Sequence, residues 1–158
     1  VTRTFSHPMT PTTTLTSKLT VSFVAAFVAT TIALVYVLRA PHIIIQDAAL
    51  ADEYYYVNAG TTLGGDLFAG ALLLMAAQYV IYLTNVTGSL ARIGVVSAVV
   101  AIVTIMRHVS ASESESNTDD PNTGSWYARA DIRNTIAYDV IYMVCLYSVM
   151  TTLYTHLV

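Results

Sequence analysis

Two aspartates, Asp66 and Asp139, stand inside long apolar runs, and each follows a threonine four positions earlier, Thr62 and Thr135. Residues four apart share a helical face, so each threonine is placed to hydrogen-bond its aspartate. Arg39 and Arg107 end the apolar runs that come before these acids. If consecutive runs are antiparallel helices, Arg39 comes near Asp66 and Arg107 near Asp139. The spacing therefore predicts two intramembrane charge pairs on one side of a bilayer, with each acid about one turn inside its helix. Two chemistries fit. An acid in the first turn of a helix is favoured by the helix dipole, and a pair at headgroup depth anchors the helix. An ionisable group within a span is also expensive in lipid and marks ion or proton pathways. Anchoring is the expectation, and an ion or proton site is the alternative.

Other constellations carry less chemistry. His42 and His108 fall just outside their helices, and His7 and His156 belong to the terminal side. A heme needs histidines facing each other within a bundle, so none is expected. There is no His-Glu-x-x-His, no Cys-x-x-Cys and no Gly-x-Ser-x-Gly. Cys145, alone in an apolar run, reads as a packing residue. No enzyme activity, metal or cofactor is expected. The last run is rich in tyrosine, with Tyr138, Tyr142, Tyr147 and Tyr154, and Gln78, Tyr79 and Tyr82 give the second a polar end. Hydroxyls in a bilayer need partners, and other helices or headgroups are the simplest ones.

The elements that must position these residues follow from composition. Of 158 residues, 55% are hydrophobic and 11% charged, with a mean hydropathy of +0.60. A soluble domain carries roughly 25% charged residues. The composition excludes a soluble globule and a disordered chain, and the single cysteine excludes a disulfide scaffold. Seven basic residues against ten acidic ones argue against nucleic-acid binding. Residues 19–38 hold no charge and, as a helix, span about 30 Å, the thickness of the hydrocarbon core. This run reads as a span and not as a cleaved signal sequence, because residues 38–41 form no small-x-small site. Residues 93–106 are short for a span, but Arg92 and Arg107 at their ends can snorkel outward. The runs are too long and too uniformly apolar for barrel strands. The prediction is an all-α integral membrane protein with four transmembrane helices at 19–39, 62–84, 89–108 and 134–156. They are arranged as two successive helical hairpins.

The remaining segments read as tail and loops. Residues 1–18 form a threonine-rich flexible tail, and residues 19–158 form the transmembrane domain. An acidic loop covers 109–131, and residues 110–124 are expected to be mobile. Tyr54, Tyr55, Tyr56, Trp126 and Tyr127 read as interfacial aromatic anchors. Residues 84–89 form a tight turn. Its Asn85-Val86-Thr87 matches a glycosylation pattern but lies too close to the bilayer to be a good acceptor. An offset of 73 residues pairs Tyr54 with Tyr127, Thr62 with Thr135 and Asp66 with Asp139, the signature of a parallel internal repeat.

Lysine and arginine counts on the two sides are nearly equal. The tight turn sets the expectation of termini inside and acidic loops outside. The functional expectation is a non-enzymatic structural or accessory membrane protein. It would be a subunit of a larger assembly, such as a multi-subunit membrane complex or a virion membrane layer. Its partners would be lipids and other membrane subunits or further copies of itself, with no nucleic acid. The alternative is a small oligomeric ion or solute transporter or channel with Asp66 and Asp139 in the pathway. The two separate on whether those acids face an aqueous cavity or an arginine at the interface.

Overall fold

The computed structural model describes residues 11–115 and 126–157, and every regular element among them is helical. Helix α1, Pro11–Thr31, continues as a wider π-helical stretch, Ile32–Val37. Two short helices follow, α2 at Ala40–Ile44 and α3 at Ala48–Asp52, the latter continued by π-helical Glu53–Val57. Then come α4 at Ala59–Thr84, α5 at Ser89–Glu115, α6 at Trp126–Arg129 and α7 at Ile132–Leu157. Four segments are long and apolar enough to cross a membrane: Leu15–Val37, Ala59–Thr84, Ser89–Glu113 and Ile132–His156. The chain is an all-α, four-helix membrane protein.

Four boundaries differ from the sequence expectation. Helix α1 starts at Pro11, within the stretch read as tail, because proline suits the first turn of a helix, where its missing N–H has no partner to lose. Residues 1–10 lie outside the described residues. Helix α5 runs on through Glu115, into the stretch read as loop, because 109–115 contain no glycine or proline to stop it. Of the stretch expected to be mobile, residues 116–124 lie outside the described residues. Helices α4 and α7 start at Ala59 and Ile132, earlier than expected.

Backbone chemistry sets the breaks. Arg39 adopts a left-handed conformation, φ 49°, and ends the first span just before Pro41. Asn85, φ 52°, ends α4 in the same way, a conformation asparagine tolerates better than most residues. The tight turn expected at 84–89 is therefore present.

Packing keeps the second expected hairpin, α5 against α7, and departs from the first. Helix α7 lies along both α1 and α5, and α5 packs on α4, whereas α1 and α4 make little direct contact. The connection between the first two spans is long and folds into α2 and α3, so no tight turn forces α1 against α4. Instead α2 packs on α7, and the π-helical end of α3 packs on α4.

Two apolar cores result. The terminal half of the bundle is filled by Phe27, Leu74, Val96, Val100, Met143, Leu146 and Met150, among others. The loop end is closed by a second cluster that includes Val35, Leu50, Tyr55, Trp126 and Tyr138. Tyr55 and Trp126, expected at the membrane interface, are buried in this cap. The reason is partnership. Trp126 Nε1 donates to the Leu50 carbonyl at 2.8 Å, and its ring packs on Tyr54 and, edge-on, on Tyr127. Tyr56 Oη donates at 2.7 Å to the carbonyl of Val35, inside the π-helical stretch that ends the first span. An exposed ion pair, Arg129 Nη2 to Glu53 Oε1 at 2.6 Å, joins α6 to the end of α3.

Gly70 is the glycine of α4 that approaches α7, yet a methyl there would sit 3.8 Å from Leu146 Cδ2 and 3.9 Å from Met143 Sδ. Those are ordinary contacts. Gly70→Ala should therefore fold normally and gain up to about 1 kcal/mol from helix propensity. Thermal unfolding in detergent checks this, and a lowered midpoint would show that the close approach itself is needed.

Candidate functional site

Asp66 and Asp139 each lie seven residues past the start of their helices, Ala59 and Ile132. That is about two turns, or roughly 10 Å of depth, and not the single turn expected. The earlier helix starts account for the difference. At this depth both carboxylates line one cavity of about 50 Å³ between the loop-side ends of α4, α5 and α7. The volume accommodates a few water molecules.

Direct partners of the acids are hydroxyls. Tyr54 Oη donates to Asp66 Oδ1 at 3.0 Å, and Thr104 Oγ1 donates to Asp139 Oδ2 at 2.8 Å. The expected threonines do something else. Thr62 Oγ1 donates to the Asn58 carbonyl at 2.9 Å and Thr135 Oγ1 to the Asp131 carbonyl at 2.8 Å, each closing its own helical turn. A threonine in a helix finds the carbonyl four residues back without leaving its rotamer, so that bond wins over the aspartate ahead.

Neither aspartate forms a direct ion pair with an arginine among the described residues. Arg39 is exposed and does not line the cavity, because the left-handed turn at its own backbone takes it off the helix. Arg107 does line it, together with both acids. Its Nη1 donates to Tyr127 Oη at 3.0 Å, and its guanidinium carbon lies 5.3 Å from the centroid of that ring. The structure thus brings together Asp66, Asp139 and Arg107 and leaves Arg39 apart. Tyr54 and Tyr127, 73 positions apart in the chain, meet here too: they touch edge to face at 6.3 Å, and both line the cavity.

Tyr138 adds an unusual feature. It is 3% exposed, lines the cavity, and its hydroxyl has no hydrogen-bond partner. Tyr55 stands beside it, ring centroids 5.2 Å apart, and its hydroxyl is the nearest candidate donor, but the two groups fall outside good hydrogen-bond geometry. Tyr142 is satisfied elsewhere, with its hydroxyl 2.7 Å from Thr31 Oγ1.

Thr104 and Tyr54 escaped the sequence reading as partners of the acids. Thr104 lies one turn before Arg107 on the same face, which was a usable signal. Tyr54 was marked only by its offset to Tyr127.

The cap phenols titrate abnormally. Burial, then the neighbouring Tyr127 and Asp66, hold Tyr54 well above the ordinary tyrosine range. Burial and the Asp139 charge push Tyr127 up to about 12, against the opposing pull of Arg107. An unfolded tyrosine releases its proton near 10, whereas folded Tyr127 holds it to about 12. The unfolded state therefore binds fewer protons in that window, and stability should fall as pH rises from 10 to 12. Alkaline unfolding followed by circular dichroism tests this, and the slope should shrink in Tyr127→Phe.

Among the described residues no group of three or more histidine, cysteine, aspartate or glutamate side chains is arranged to hold a metal ion. No family model, curated protein or solved structure matches the chain.

Proposed function

We propose that this chain is a small, non-enzymatic membrane protein that handles an ion or small solute, with Asp66 and Asp139 in its pathway. One observation carries the reading. Both acids line a shared cavity of water-holding size and bond to hydroxyls, with no arginine paired to them at the interface. Carboxylates kept in a span without a salt bridge are expensive unless they serve a ligand or a proton. Orientation in this reading has termini inside and the acidic loop side outside, so the cavity faces outward.

Reconstitution of the full chain in vesicles tests it. Proton, sodium and potassium fluxes are followed with entrapped dyes, in the presence and absence of a membrane potential. Flux that disappears in Asp66→Asn and Asp139→Asn supports the reading. Wild-type protein that is folded and silent toward all three ions counts against it.

A second reading, a structural subunit of a larger membrane assembly, has its own support. The apolar core of Phe27, Leu74, Val100, Met143 and Leu146 lies across the terminal half of the bundle and separates the loop-end cavity from the polar groove at Gln78, Asn85 and Arg92 on the terminal side. Purification in mild detergent with identification of co-purifying proteins tests that reading. A stoichiometric partner together with absent flux would favour it.

A further inference from the structure

Resting on the ion-handling reading above, we propose that the cavity between α4, α5 and α7 is a binding site for one small monovalent metal cation, entered from the loop side past Arg107 and Tyr127.

Charge comes first. Asp66 and Asp139 supply two negative charges and Arg107 one positive charge around the same space. The remainder is one negative charge inside a membrane bundle, where an uncompensated charge is strongly disfavoured. One monovalent cation restores balance. A divalent ion would overshoot it by one charge.

Ligand atoms come second. Asp66 Oδ1 is taken by Tyr54 and Asp139 Oδ2 by Thr104, which leaves one oxygen of each carboxylate without a protein donor among the described residues. Tyr138 contributes a third oxygen. Its hydroxyl is buried, partnerless and on the cavity wall. A buried hydroxyl without a partner loses on the order of 1–3 kcal/mol, so its retention calls for a ligand. A proton would occupy one oxygen and leave the others as they are, whereas a metal cation uses all three and completes its shell with water. The cavity, about 50 Å³, suits an ion with a few waters and excludes bulky organic cations.

Access comes third. Arg107 is exposed, and with Tyr127 it lines both the cavity and an open outer groove that includes Met106, Ser110 and Ala111. The 3.0 Å bond between Arg107 and Tyr127 therefore lies between the outer groove and the two carboxylates. On the inner side the cavity meets Leu73, Val100 and Met143, which closes it toward the terminal half.

The test is thermal unfolding of the purified full chain at constant ionic strength, with sodium or potassium chloride exchanged for N-methyl-D-glucamine chloride. One of the two metal ions should raise the midpoint saturably, by about 5 °C at a hundredfold excess over its Kd. Asp139→Asn should lose the response. Tyr138→Phe should weaken the midpoint concentration about tenfold while leaving the protein at least as stable in N-methyl-D-glucamine, because the orphaned hydroxyl is gone. A merely structural tyrosine would not separate those two readouts. Equal midpoints in all three salts, or a midpoint that follows pH alone, would overturn the inference. Cation-dependent stability without vesicle flux would keep the site and sink the transport reading. Flux of some other solute with no cation-dependent stability would do the reverse.

Discussion

Asp139→Asn should reduce ion flux through reconstituted vesicles by a hundredfold or more while expression, helicity and elution volume stay at wild-type values. Asparagine keeps an oxygen for Thr104 Oγ1, now 2.8 Å from the carboxylate, so the contact between α5 and α7 survives. The charge does not survive. Asp66 and Arg107 then balance each other, and the cavity no longer attracts a cation. Asp66→Asn should act the same way, since its amide oxygen can still accept from Tyr54. The decisive measurement is paired, with assembly and flux read on the same preparation. Loss of both together would mean that the carboxylates hold the bundle and that the anchoring chemistry is the right one. Arg39→Gln serves as the control. Arg39 is exposed and outside the cavity, so flux should be unchanged.

The largest stability loss is expected at Trp126. This side chain is 9% exposed, donates to the Leu50 carbonyl at 2.8 Å and packs against Tyr54 and Tyr127. Trp126→Ala removes a buried aromatic and leaves a cavity, a change that costs about 3–5 kcal/mol. Trp126→Phe keeps most of the packing and loses one side-chain hydrogen bond, while the Leu50 carbonyl still accepts from the Glu53 N–H, for about 0.5–1.5 kcal/mol. Because the cap carries Tyr54, its loosening should also release the hydroxyl that holds Asp66. Amide exchange over residues 48–57 should accelerate in both variants, more in the alanine. The terminal core around Leu146 should keep its protection, because the two clusters have no buried residue in common and share only the partly buried Tyr142. Uniform acceleration through all four spans would show instead that cap and bundle unfold as one unit.

What the amino-acid sequence determined alone is the set of spans. Sustained apolar length is a local property, and a bilayer accepts only segments that satisfy their own backbone, so four long runs meant four helices. It also marked the two acids, because a charge in such a run stands out without any knowledge of neighbours. Where those acids would lie was decided elsewhere. The sequence pairing of Arg39 with Asp66 assumed that consecutive helices touch. The long connection instead folds into α2 and α3, and α1 packs on α7. Arg39 is removed by a left-handed turn of its own backbone. Thr62 and Thr135 turn back to their own helices, and Thr104 and Tyr54 take the places expected of them. The burial of Tyr55 and Trp126 against protein escaped the sequence reading for the same reason. Tyrosine and tryptophan carry the same amphipathic signature at a headgroup as in a buried, hydrogen-bonded cluster, and only the positions of Leu50 and Val35 made the second available. Depth, partnership and the shared cavity are contacts between residues far apart in the chain. No run, spacing or composition encodes them until the helices have chosen their neighbours.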